Sequence, residues 1–305
     1  MISLLYAIPG AVTQGMLWGI AAIGVYLTFR ILNVSDLTVD GSLATGGAVC
    51  IMLIRSGCNP WIALLCAVLA GMLAGLITGL LHTRCGIPAI LSGILTQLAL
   101  YSINLRIMGK ANQPVSVDKY PLLVSQRFVL KPELTNPIFL TILVLLVLVG
   151  ILYWFFGTEY GSALRATGAN QNMARAQGID TKIAITVGLM VSNGLVALSG
   201  ALRAQYQGQV NVDMGRGAIV IGLAAVIVGE VLFGKLFRNF ALKMLSVALG
   251  AVIYYLVIQA VINLGLSTDD LKLLTATVVA LFLAIPYWKS LVKFRKQRVG
   301  GNGHA

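Results

Sequence analysis

The chain reads as an all-α integral membrane protein with about nine transmembrane or partly spanning helices, some of them short or broken. Three observations lead there. Of its 305 residues, 58% are hydrophobic and only 10% are charged, whereas a soluble domain carries about 25% charged residues. The mean hydropathy is +0.89. The apolar residues also fall into runs close to the ~20 residues that cross a bilayer as a helix, with polar stretches between them. The 33 glycines suit close helix contact in lipid.

The first span is expected from Leu4 to Phe29, closed by Arg30. No Lys or Arg precedes Arg30, so the basic start of a cleaved signal is missing and the run is read as a retained helix. The polar stretch Asn33–Ser42 follows. The second span, Leu43 to Leu53, is short and Gly-rich, which predicts a span broken or entered by an irregular segment. The third runs from Trp61 to Leu81, and the fourth from Ile87 to Leu105 with Pro88 in its first turn, where a missing N–H costs little. Residues 108–135 are too polar to cross. The fifth span is Pro137–Phe156, followed by a charged insert, Gly157–Asp180. The sixth is Ile183–Leu202. After the polar loop Arg203–Arg216, the short apolar piece Ala218–Val231 predicts a half-helix or a tilted short span. The eighth is Leu245–Leu264. The ninth, Leu271–Tyr287, follows a capping turn at Ser267–Asp270. Residues 1–298 read as a single transmembrane domain, and 299–305 as a flexible tail.

The net charge is +12. No basic stripe with interleaved aromatics accompanies it, so nucleic acid is not expected as a partner. The basic residues sit between apolar runs, where they set topology and meet anionic lipid. With the N-terminus outside, Arg30, Arg84, Arg165, Arg175, Lys182, Lys235, Arg238, Lys243 and the tail Lys289–Arg298 all face inward. That places the C-terminus and the Gly157–Asp180 insert in the cytoplasm, the chain crossing the membrane many times.

An enzyme is disfavoured. His82 and His304 are the two histidines, and neither has a triad or metal set around it. Cys50, Cys58, Cys66 and Cys85 form no CxxC pair; Cys50 and Cys58 are either small apolar fillers or an outer-face disulfide. Gly229 and Gly234-Lys235 have phosphate-loop spacing, but Leu236 stands where Ser or Thr must hold magnesium. No cofactor is expected on this chain.

Five polar residues are candidates for a solute pathway. Asp36 and Asp40 are four apart and share a face if that stretch is helical. A carboxylate at membrane depth suggests function, yet both also suit caps at the inner interface. Ser42 lies beside them. Asn193, next to Ser192, reads as an interhelical hydrogen-bonder or a pathway group. Glu230, near Lys235 and Arg238, reads as an interfacial ion pair or a pathway group. Gln205, Gln207, Gln209 and Asn211 suit an outer vestibule or a plain loop. Tyr26, Tyr101 and Trp154 suit interfacial anchors.

The insert carries the sharpest pattern: Arg165-Ala166, Gly168, Asn170, Ala174-Arg175 and Gly178-Ile179. It reads as two short helices broken at Gly168, with a basic face and small residues that allow close approach. The stretch resembles the cytoplasmic coupling segment of ABC-importer permeases of the branched-chain amino acid and ribose type. Gln171 departs from the pattern, which has Pro there. Asn33–Ser42, Gly86–Gly93 and Gly222–Glu230 resemble further segments of that family, and the Asp-Leu-Thr-Val-Asp-Gly form resembles its aromatic amino acid subgroup. The resemblance implies a type II-like ABC importer permease. Its implied partners are an ABC ATPase that binds ATP and magnesium and docks on 158–181, an extracytoplasmic solute-binding protein, and a second permease copy. A secondary transporter driven by an ion gradient, or a sugar or nucleoside permease, is the alternative.

Overall fold

The computed structural model describes residues 2–129, 136–234, 236–237 and 239–263, with a few positions between 273 and 284. Ten α-helices are traced among the described residues. α1 (Ile2–Tyr26) continues into a π-helical turn, Leu27–Ile31. Then come α2 (Thr38–Arg55), α3 (Pro60–Thr83), α4 (Ala89–Met108) and α5 (Pro137–Gly157). Two short helices, α6 (Glu159–Ala169) and α7 (Gln171–Ala176), precede α8 (Thr181–Gln207), α9 (Ala218–Phe233) and α10 (Phe240–Asn263). Among the described residues, seven helices are long and apolar enough to cross a membrane, and α9 is a shorter apolar helix. The expected ninth span falls almost wholly outside the described residues. Lys235, Arg238, the basic tail and 299–305 lie outside them too.

The helices start where side chains can hold their free N–H groups. Asn59 and Asn136 each accept a hydrogen bond from the residue two ahead, with Pro at the first helical position. Asp180 accepts from the N–H groups of Lys182 (2.9 Å) and Ile183 (3.2 Å), so α8 begins two residues before its apolar run. The apolar runs likewise understated α2, whose first turn is polar, and α10, which begins at Phe240 rather than Leu245.

α1, α2 and α8 form the buried centre, while α3, α4, α5 and α10 turn large apolar side chains outward. Leu65, Leu69, Leu73, Leu98, Leu143 and Ile151 are among those exposed. An apolar surface of this extent needs lipid or a partner rather than water. α2 and α8 meet through glycine. A side chain at Gly46 would run into the Ala197 backbone, and one at Gly200 into the Leu43 carbonyl.

The second span is entered by an irregular segment, as its length suggested. After the π turn the chain loses helical form over 32–37, with Asn33 in the left-handed region at φ 54°. Val34, Asp36 and Leu32 are buried there. A second non-helical stretch, 212–217, leads into α9. Outside the helices, β1 (Asn112–Pro114) pairs antiparallel with β2 (Gln209–Asn211), Gln113 opposite Val210. The long polar loop is thereby tied to the end of α8.

Candidate functional site

Two groups of predicted residues sit in different places. The first is the coupling segment. α6 starts at Thr158, whose hydroxyl accepts from Gly161 N–H at 3.4 Å. The break falls at Asn170, not at Gly168 as expected. The Asn170 side chain accepts from Asn172 N–H (3.0 Å) and Met173 N–H (3.1 Å) and opens α7. This cap supplies the helix start with Gln171 in the first position, so the missing Pro does not remove the kink. Gly168 lies inside α6 for another reason. A side chain there would fall on the Ile31 carbonyl and within 2.9 Å of the Leu32 Cα. α6 is therefore seated directly on the π turn that ends α1.

The outward side of this segment is bare. Arg165, Asn170, Arg175 and Gly178 are exposed, Ala166 is half-buried, and Ala174 is fully buried beneath. The Arg165 guanidinium lies 5.8 Å from the centre of the Phe240 ring. Arg175 donates to the Thr181 hydroxyl at 3.0 Å. Gly178 holds a left-handed turn at φ 81° that closes α7. Tyr160 (72%) and Met173 (49%) add exposed apolar surface beside the arginines. Basic, aromatic and methionine side chains together are a composition typical of protein interfaces.

The second group is a buried polar cluster around the start of α2. Asp36 lies before the helix and Asp40 inside its first turn, so the two do not share a helix face. Asp36 is 2% exposed. One of its oxygens accepts from Thr38 N–H at 2.9 Å, capping α2, and the other accepts from the Asn193 amide at 2.7 Å. The Asn193 carbonyl accepts from Ser42 Oγ at 2.6 Å. Ser192 donates to the Gly24 carbonyl at 2.8 Å. Next to it, Thr38, Thr78 and Thr96 form a hydroxyl chain at 2.7 and 2.9 Å that joins α2, α3 and α4. Asp40 turns the other way. Its carboxylate accepts from Gly217 N–H (2.9 Å) and Ile219 N–H (3.1 Å), capping α9 from a different helix. Gly217 has no side chain to do this itself.

Glu230 stands apart from the cluster. It forms a two-point ion pair with Arg30, at 2.8 and 2.9 Å, at the far end of α9. Its partner among the described residues is Arg30; Lys235 and Arg238 lie outside them. From Ala218 to Glu230, α9 rises about 18 Å at 1.5 Å per residue. Asp40 and Glu230 thus meet opposite ends of α9.

Other expectations change. Tyr26 is buried, not an interfacial anchor, whereas Tyr101 and Trp154 are exposed. Gln205 is buried, donating to Cys50 Sγ and accepting from Leu123 N–H. All four cysteines are free. His82 ends α3, its ring nitrogen 2.8 Å from the Ile87 carbonyl oxygen. Thr38, Thr78 and Thr96 escaped notice in the sequence because isolated threonines in apolar runs carry no pattern.

Three relatives share most of this length. The chain is 39% identical over 277 residues to a tyrosine transport system permease protein of Clostridioides difficile (strain R20291), covering 91% of this chain and 90% of that protein. It is 33% identical over 279 residues to an uncharacterized protein of Rickettsia prowazekii (strain Madrid E), covering 90% and 95%. It is 27% identical over 250 residues to the fructose import permease protein FruF of Bifidobacterium longum (strain NCC 2705), covering 80% and 67%. Residues 8–289 match the profile described as branched-chain amino acid transport system / permease component, and the chain belongs to that family of ABC-type permeases.

Proposed function

We propose that this chain is the membrane-spanning subunit of an ABC importer that moves an amino acid, tyrosine in the first instance, into a bacterial cell. ATP and magnesium are held by a partner ATPase that docks on 158–181. An extracytoplasmic binding protein delivers the solute, and two copies of the chain form the pathway in the inner membrane with their C-termini in the cytoplasm. The observation that carries this reading is the seat of Gly168 on Ile31. An exposed basic element rests on the π turn from which the irregular 32–37 segment leads to Asp36 and α2. Motion of α6 has a short, rigid route to the buried cluster, since close-packed backbone has little slack. The tyrosine relative supports the solute class.

The test is reconstitution with a cognate ABC ATPase and a solute-binding protein. ATP-driven accumulation of L-tyrosine in proteoliposomes is the expected result. Transport by this chain alone under an ion gradient, with no ATPase recovered on purification, would sink the importer reading in favour of a secondary transporter.

A further inference from the structure

A cavity of about 320 Å³ opens between α2, α4 and the 212–217 stretch. We propose that this cavity is a waypoint for the charged head group of a free α-amino acid, held by Asp40, Asn104, Asp213 and Arg216. The inference deepens the importer reading and rests on it for the class of solute.

Asn104 carries the argument. It lines the cavity and is 1% exposed, yet neither its amide nitrogen nor its oxygen has a hydrogen-bond partner. A buried amide left unsatisfied costs about 1–3 kcal/mol, so the position favours a ligand that offers a donor and an acceptor together. The charged groups around it narrow the class. Asp213 and Arg216 pair at 2.9 Å and remain 46% and 69% exposed. Asp40 supplies a second carboxylate, already holding two N–H groups at the start of α9. Two carboxylates and one guanidinium gathered on one cavity need water or a polar occupant, not lipid. An α-amino acid meets this set with one charge of each sign. Its ammonium donates to Asp213, Asp40 or the Asn104 oxygen; its carboxylate accepts from Arg216 and the Asn104 nitrogen. Leu98 (64% exposed) and Tyr101 (40% exposed) form an open rim. The side chain of the solute is thus held loosely, which leaves discrimination among amino acids to the binding protein.

The experiment needs no ATP. The full chain carries Leu98→Cys with Cys58, Cys66 and Cys85 replaced by Ala, in lipid nanodiscs, and maleimide labelling of the rim cysteine is timed. L-Tyrosine is expected to slow labelling several-fold. Tyramine, which lacks the carboxylate, and 3-(4-hydroxyphenyl)propionate, which lacks the ammonium, are expected to leave it unchanged. Asn104→Leu and Arg216→Gln should each abolish the protection, and Arg216 is exposed enough that its substitution tests binding without a folding burden. Equal protection by tyramine, protection by D-fructose instead, or protection that survives both substitutions overturns the site. Protection without ATP-driven uptake refutes the importer reading and keeps the site. Uptake without protection keeps the importer and refutes the site.

Discussion

The coupling segment and the buried cluster around Asp36 are built by opposite means. Every cap in the first is local: Thr158 holds Gly161, Asn170 holds Asn172 and Met173, and Asp180 holds Lys182 and Ile183. Apart from Asp36 holding Thr38 N–H, the polar contacts of the second cross the fold, joining Asp36 to Asn193, Ser42 to Asn193, and Asp40 to Gly217. A locally capped element can be exposed and still keep its shape. A cluster assembled from distant helices holds only while those helices stay packed, which makes it responsive to their movement. Gly168 on Ile31 is a backbone contact that ties the first to the stretch leading into the second.

Substitutions rank the two constructions. The largest loss of stability is expected for Asn193→Leu, which strips a donor from a buried carboxylate and an acceptor from Ser42. Hydrogen bonds to charged groups are worth about 1.5–3 kcal/mol, and thermal unfolding of the purified chain should register the drop. A wild-type melting temperature would mean that Asp36 is not held as described.

Gly168→Leu comes next. Overpacking costs about 1–3 kcal/mol, and the expected signature is loss of ATP-driven uptake beyond what the fall in stability explains. If Gly168→Leu transports like the parent, the seat on Ile31 does not couple the two regions.

Asn170→Ala is expected to cost about 1 kcal/mol, the usual value of an N-cap. Because α7 is exposed, that loss should appear as weaker recovery of the ATPase rather than as global unfolding. Arg165→Glu sharpens the contrast: the melting temperature stays put while ATPase co-purification falls, and unchanged recovery of the complex would count against 158–181 as the dock. The smallest effect is expected for Glu230→Gln. Its pair with Arg30 is half-exposed, and exposed pairs contribute about 0–1 kcal/mol.

Legibility in the sequence divided along the same line. The spans and the coupling segment were readable because apolar runs and capping residues act over a few positions. Even there the break was drawn at Gly168, since glycine resembles a breaker; in the fold it is a contact surface, and Asn170 makes the break. The cluster was half-readable. Asp36, Asp40, Ser42 and Asn193 stood out as polar residues in apolar surroundings, but their partners did not. Nothing within a few residues of Asp40 indicates that its carboxylate caps a helix beginning at Ala218. Likewise nothing near Glu230 in sequence indicates that Arg30 reaches it across the fold.

The sequence by itself determined that this chain lives in lipid, where its helices lie and which stretch stays outside them. Each of those follows from composition and from interactions that close within one or two turns. Tertiary structure alone decided that Asp40 of α2 caps α9, that Gly168 rests on Ile31, and that Asn104 lines a cavity with its amide unpartnered. Those depend on which helix faces touch, and in a chain so uniformly apolar it is the few glycines and buried polar groups, not hydrophobic pattern, that select the faces.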